Sequence, residues 1–186
     1  MRTFIAIDLD SALKRPILRL LQELPRINDV KWATANQLHL TLKFLGDVPD
    51  AQIAKVCEIA REVSANLQPF PLRISGLGCF PSPRNPRVLW CGVEDATGTC
   101  QAWIGAADPL FEELNFKPET RGFTPHFTLG RSRASVGSDG LRKVFERVAL
   151  PPTSEMTVRQ GVVFESRLLP GGAQYRVVAQ VGVGSA

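Results

Sequence analysis

Histidine is nearly absent from this chain. Among 186 residues there are two, His39 and His126. Histidine-based proton transfer near neutral pH must therefore pass through one or both of them. Cysteine is also scarce: Cys57, Cys79, Cys91 and Cys100 lie far apart, with no Cys-x-x-Cys, each in an apolar segment. That pattern predicts buried, reduced thiols and a cytoplasmic protein. No apolar run approaches the length of a membrane span, and Met1 to Asp8 is too short and too soon charged for a signal peptide. Neither charge dominates. Lys and Arg number 22 against 18 Asp and Glu, a net +4, which suits an anionic substrate without demanding one.

What the chain does have is a repeated pattern. Residues 37–46 read Gln-Leu-His-Leu-Thr-Leu-Lys-Phe-Leu-Gly, with leucines alternating against His39, Thr41 and Lys43. Period two predicts a half-buried strand with His39 and Thr41 on one face. The pattern returns as Pro125-His126-Phe127-Thr128-Leu129. Both histidines thus begin His-x-Thr-Leu.

The surroundings repeat as well. Ile53, Val56, Cys57 and Ala60 make a helical stripe 14 to 21 residues after His39; Leu141, Val144, Phe145 and Val148 make one 15 to 22 residues after His126. Each stripe is followed by a strand, a glycine (Gly76, Gly161), a strand ending in Phe80 or Phe164, a proline-containing loop and a last strand. The halves run over about 39–93 and 126–181. Strands are expected over Thr3–Leu9, Val30–Trp32, Leu72–Ser75, Leu77–Phe80, Val88–Val93, Met156–Phe164 and Gln174–Val181. Leu72–Ser75 and Leu77–Phe80 are expected to be strand segments broken by Gly76 and Gly78. Helices are expected over Ser11–Leu24 and over about Gly98–Leu114, the latter interrupted near Asp108-Pro109. The repeat predicts an α+β fold of two pseudo-symmetric lobes, each an antiparallel sheet backed by helices, with the histidine strands facing across a cleft.

Two facing imidazoles offer an acid and a base together, and each threonine hydroxyl is a donor on its histidine's face. Phosphodiester hydrolysis uses that set: a base for water, an acid for the departing alkoxide, and donors for the phosphoryl oxygens. No covalent nucleophile, metal or cofactor is required. A two-histidine metal site would need a third ligand, and no carboxylate or cysteine lies within the motifs.

These residues resemble the 2H phosphoesterase superfamily, and within it the RNA 2′,3′-cyclic phosphodiesterases, also called 2′-5′ RNA ligase-like proteins. Further stretches carry the resemblance: Lys31-Trp32, Lys43-Phe44-Leu45-Gly46, Pro86-Arg87-Val88-Leu89-Trp90, Arg131 and Leu168 to Tyr175. It implies that a cyclic phosphate at an RNA 3′ end is opened to a 2′-phosphate. His39 would donate the proton to the leaving 3′-oxygen and His126 would accept one from water. Thr41, Thr128 and Arg131 would hold the phosphate. Weak reverse joining to a 5′-hydroxyl would explain the ligase name. The implied protein is a monomer acting on RNA, away from membranes. Gly130 departs from the resemblance, which would place alanine there.

Other readings stay open: a small cyclic nucleotide or 2′-5′ oligoadenylate as substrate, or an RNA-binding module without turnover. Phe44 is read as core, Trp32 and Trp90 as packing near the cleft, and Arg84 and Arg87 as solvated loop charges.

Overall fold

A short, largely apolar run at the start of the chain forms β1 (Arg2–Asp8), whose centre is buried on both faces. Asp10 caps α1 (Ser11–Glu23), its Oδ1 accepting from the Ala12 and Leu13 amides at 2.9 and 3.1 Å. Leu13, Ile17 and Leu21 form that helix's buried stripe. The remaining elements are β2 (Val30–Trp32), a 3-10 turn (Ala35–Gln37), β3 (His39–Asp47), α2 (Asp50–Ala65), β4 (Phe70–Phe80), β5 (Val88–Glu94), α3 (Thr99–Glu112), β6 (His126–Ser132), α4 (Asp139–Arg147), β7 (Glu155–Val158), β8 (Gln160–Leu169) and β9 (Gly172–Gly182). The computed structural model describes residues 1–118, 122–134, 137–151, 155–169 and 172–184.

The strands build two sheets with antiparallel pairing, ordered β3-β1-β8-β9 and β2-β6-β5-β4-β7. α2 packs against β8 and β9, and α3 against α2 and β3, while α1 meets β7 and α4 meets β4 and β5. Each sheet thus has two helices, the two-lobed α+β arrangement expected. Trp103 Nε1 donates to Ser64 Oγ at 2.9 Å and ties α3 to α2 inside the first lobe.

The repeated halves do not make one lobe each. β3 stands in the first sheet, whereas β4 and β5 from its own half stand in the second. β6 stands in the second, whereas β8 and β9 return to the first. Each half passes its closing strand pair to the sheet that holds the other half's histidine strand, β5 directly beside β6 and β8 beside β1, which lies next to β3. This draws β3 and β6 into contact at the seam. Pairing partners this distant leave no mark in local spacing, so periodicity reveals the repeat but not the exchange.

Three local expectations also change. β4 runs unbroken through Gly76 and Gly78, with a bulge between Ile74 and Gly76. Gly78 is needed because the Trp90 ring on β5 fills the space a Cβ would take. α3 continues through Pro109, which lies in its last turn. The single strand expected over Met156–Phe164 divides at Arg159: β7 pairs with β4 in one sheet, and β8 with β1 and β9 in the other. Extended segments on either side of a sheet crossing look continuous in a period-two pattern.

The main core runs through both lobes. A smaller cluster of Phe4, Ala6, Val162 and Phe164, with Tyr175 against it, covers the other face of the first sheet. All four cysteines are buried and unbridged, and burial pushes the Cys79 and Cys91 thiols up to about 11 and about 12. Thiols held protonated in this way are poor nucleophiles. Among the described residues no helix is long and apolar enough to cross a membrane.

Candidate active site

In β3, His39 and Thr41 share a half-exposed face while Leu40 is buried behind them. A bulge then shifts the pleat. Thr41 lies opposite Ala6 and Lys43 opposite Ile5, leaving Leu42 as the extra residue. Lys43 is consequently turned inward, 4% exposed, and Phe44 outward, 50% exposed. Both are reversed from the simple alternation, which put Phe44 in the core. β6 repeats the device: Thr128 lies opposite Trp90 and Gly130 opposite Leu89, with Leu129 extra. Gly130 turns inward and Arg131 outward. Structurally, Gly130 answers to Lys43 and Arg131 to Phe44.

The inward positions are filled differently. Lys43 Nζ donates to Asp108 Oδ1 at 2.6 Å and to the Lys117 carbonyl at 3.0 Å, joining β3 to the end of α3 and the segment after it. At Gly130 an added Cβ would stand 2.5 Å from the Trp32 ring. The alanine implied by the resemblance would require that indole to shift.

His39, Thr41, His126, Thr128 and Arg131 all line one cavity of about 430 Å³ at the seam between the sheets. Arg2 and Lys31 join Arg131 in the lining, and no carboxylate stands among the described lining residues. Such a surface favours an anion. Among the described residues no three His, Cys, Asp or Glu side chains gather as a metal site would need.

The two imidazoles sit in unlike surroundings. His39 is packed among aromatic rings, with Phe4 at 4.9 Å, Tyr175 edge-on at 5.0 Å and Phe164 at 5.8 Å between centroids. Its Nδ1 is buried and finds no hydrogen-bond partner among the described residues. Burial, aided by the positive charges of Lys14 and Arg131, pushes its pKa down to about 4. Asp8, opposite His39 on β1, is occupied by Lys14 at 2.7 Å.

His126 is oriented by the backbone. Its Nδ1 lies 2.6 Å from the Thr124 carbonyl, with Phe80 edge-on at 5.1 Å and Trp90 at 5.4 Å. A carbonyl only accepts, so Nδ1 carries the hydrogen and Nε2 is left to exchange protons. Burial lowers its pKa; the Thr124 contact opposes this and Arg131 adds to it. Arg131 Nη2 in turn donates to Thr128 Oγ1 at 3.2 Å.

Against known proteins, a sequence model of the LigT like Phosphoesterase family matches residues 7–90 and again 92–175, one histidine motif in each stretch. The chain belongs to the LigT-like phosphoesterase family. A curated relative from Methanothermobacter thermautotrophicus, named RNA 2′,3′-cyclic phosphodiesterase, is 32% identical over 94% of this chain and 95% of its own length. One of the same name from Archaeoglobus fulgidus is 31% identical over 95% and 97%. Among solved structures, E. coli LigT complexed with 3′-AMP superposes with a TM-score of 0.78 at 22% identity, covering 98% of this chain and 97% of that one. A Thermus thermophilus protein gives 0.79 at 24% identity, covering 99% and 98%.

This LigT-like chain also brings residues to the cavity that the motifs did not single out as binding residues. Arg2, Gln37 and Ser166 line it, as do Lys31, Trp32 and Tyr175 from the flanking stretches. Gln37 Nε2 donates to the Ala173 carbonyl at 2.8 Å and so links the 3-10 turn to β9 across the seam. Arg2 was recoverable only from knowing that β1 pairs with β3. Arg84 and Arg87 are exposed and stand outside the cavity lining. Pro170 and Gly171 lie outside the described residues.

Proposed function

We propose that this protein hydrolyses RNA 2′,3′-cyclic phosphate ends to 2′-phosphates by general acid–base catalysis between His39 and His126. The observation that supports the reading above all others is that both His-x-Thr pairs line one cation-rich cavity. In the reaction, His126 Nε2 takes a proton from water as its oxygen bonds to phosphorus. The P–O3′ bond breaks and His39 gives the leaving oxygen its proton. Thr41, Thr128 and Arg131 hold the non-bridging oxygens where charge builds. The same site, taking a 5′-hydroxyl in place of water, would weakly join ends through a 2′-5′ linkage.

His39 must be charged to act as the acid, yet before substrate binds, its surroundings hold it neutral at pH 7. An anionic phosphate against the ring supplies the negative charge that the site lacks, so the acid is charged when substrate is bound. The proposed reaction needs no metal, since histidines, hydroxyls and a guanidinium cover every role.

The test is hydrolysis of an oligoribonucleotide ending in a 2′,3′-cyclic phosphate, with the product's phosphate position read by NMR or phosphatase sensitivity. A 2′-phosphate is expected, at a rate unaffected by EDTA. A 3′-phosphate product would reverse the leaving group, and loss in EDTA restored only by metal would overturn the metal-free chemistry.

A further inference from the structure

Beside the catalytic cavity lies a second, open groove of about 560 Å³, lined by residues that include Leu45, Pro49, Gln52, Asn115 and Lys117. Phe44 lines both spaces. The bulge in β3 puts it there: without the extra Leu42, the pleat would bury this ring. Arg2, which lines the catalytic cavity and not the groove, sets its guanidinium 5.0 Å from the Phe44 ring centre. Half of this large apolar side chain is open to solvent. In the matching place on β6 stands Arg131, which reaches the phosphate-binding threonine. The two outward positions therefore differ in chemistry: one offers charge, the other a flat aromatic face beside a charge.

We infer that the groove is a subsite for the nucleotide preceding the terminal one, with Phe44 stacking its base and Arg2 holding the phosphodiester between the two. Phe44 divides the terminal nucleotide's cavity from the next one's groove, and a strand crossing that divide carries a phosphate at the crossing. Aromatic stacking is tolerant of base identity, and a guanidinium pairs with a phosphate oxygen whatever the sequence. Lys117 and Asp47 both line the groove, one charge of each sign, so the charge on the strand's path is met by Arg2 at the crossing rather than by the groove itself. The subsite makes the protein favour a chain end over a free nucleotide. The inference rests on the cyclic phosphodiesterase reading proposed above.

The experiment compares kcat/KM for a nucleoside 2′,3′-cyclic phosphate and for the dinucleotide bearing the same terminal group. Dissociation constants are measured in parallel for the corresponding 2′-phosphate products. Wild type should favour the dinucleotide in both measures by about five- to 150-fold, the span of one base–aromatic stack. Phe44→Ala should bring the ratio to within about twofold of one, and Phe44→Trp should keep it. Arg2→Gln should lower the ratio while leaving its dependence on the 5′ base unchanged. Equal ratios in wild type, or a wild-type ratio surviving Phe44→Ala, would overturn the subsite while leaving the catalytic reading intact. Absence of turnover on both substrates would overturn the catalytic reading, and equal product affinities would then overturn the subsite as well.

Discussion

The strands carrying His39 and His126 use the same backbone device and end up chemically unequal. Both run outward histidine, buried apolar residue, outward threonine, then a bulge that turns one residue in and the next out. On β3 the inward residue is a lysine locked to Asp108; on β6 it is a glycine beneath an indole. His39 is enclosed by rings, its Nδ1 without a partner among the described residues, whereas His126 is aimed by a backbone carbonyl. A shared scaffold thus places two identical side chains in unlike surroundings, and the acid–base mechanism proposed above gives each the duty that its own surroundings suit. Fixing the Nδ1 hydrogen leaves a lone pair on Nε2, which suits a base. A buried imidazole stripped of partners holds a proton poorly and gives it up readily, which suits an acid once phosphate has charged it.

Removing each imidazole in turn gives the largest effects. His39→Phe and His126→Phe should each lower turnover about 10²–10⁴-fold. Their stabilities should diverge. Phe at 39 joins the rings of Phe4, Phe164 and Tyr175 and discards the orphaned nitrogen, so its melting temperature should equal or exceed wild type. Phe at 126 loses the Thr124 hydrogen bond and should melt lower. Scanning calorimetry beside a turnover assay reads both, and equal Tm changes would erase the proposed contrast.

The inward residues come next. Asp108→Ala strands a lysine whose side chain is 3% exposed and should destabilise by about 3 kcal/mol. Lys43→Met removes that buried charge, leaving the more exposed carboxylate, and should be milder. Urea titration ranks the two, and the reverse order would mean that the pair matters for more than its own burial. On the other strand, Gly130→Ala forces the Trp32 ring to move and should cost about 1–3 kcal/mol. Indole fluorescence would report the displacement directly.

The pH dependence sharpens the same comparison. The folded pKa of His39 is about 4, against roughly 6.5 when unfolded. The unfolded chain therefore binds more protons between those values, and its stabilising contribution, full above about 6.5, is lost as pH falls toward 4. Wild type should lose stability over that window more steeply than His39→Phe. In kinetics, the alkaline limb of kcat should lie at least about one pH unit above that of kcat/KM, because bound phosphate raises the acid's pKa. Coincident limbs would mean that the proton is already on His39 before binding.

Much of this was legible beforehand. His39, Thr41, His126 and Thr128 were marked by a doubled motif, and local alternation placed each pair on one face. Arg131 reaches the cavity only because of the bulge after Thr128; its assignment came from family resemblance, not from spacing. Phe44 was misplaced for the same reason, since a one-residue bulge inverts every later side chain and has no signature of its own here. Arg2 was hidden because strand order, not neighbourhood in sequence, brings it to the cavity, whereas Gln37 stands two residues before His39 and was passed over within the motif itself. The split of the strand at Arg159 and the crossing of the halves are again matters of distant pairing.

The crossing has a consequence for how this molecule can be taken apart. A cut in the turn at residue 96, just past the point where the two family matches meet, would give fragments each holding one complete histidine motif. Neither fragment would own the hairpin that completes its sheet, since each keeps the one its counterpart needs. Such pieces should be unable to work singly, yet should rebuild a working protein when mixed, like two hands that close only by interlacing fingers.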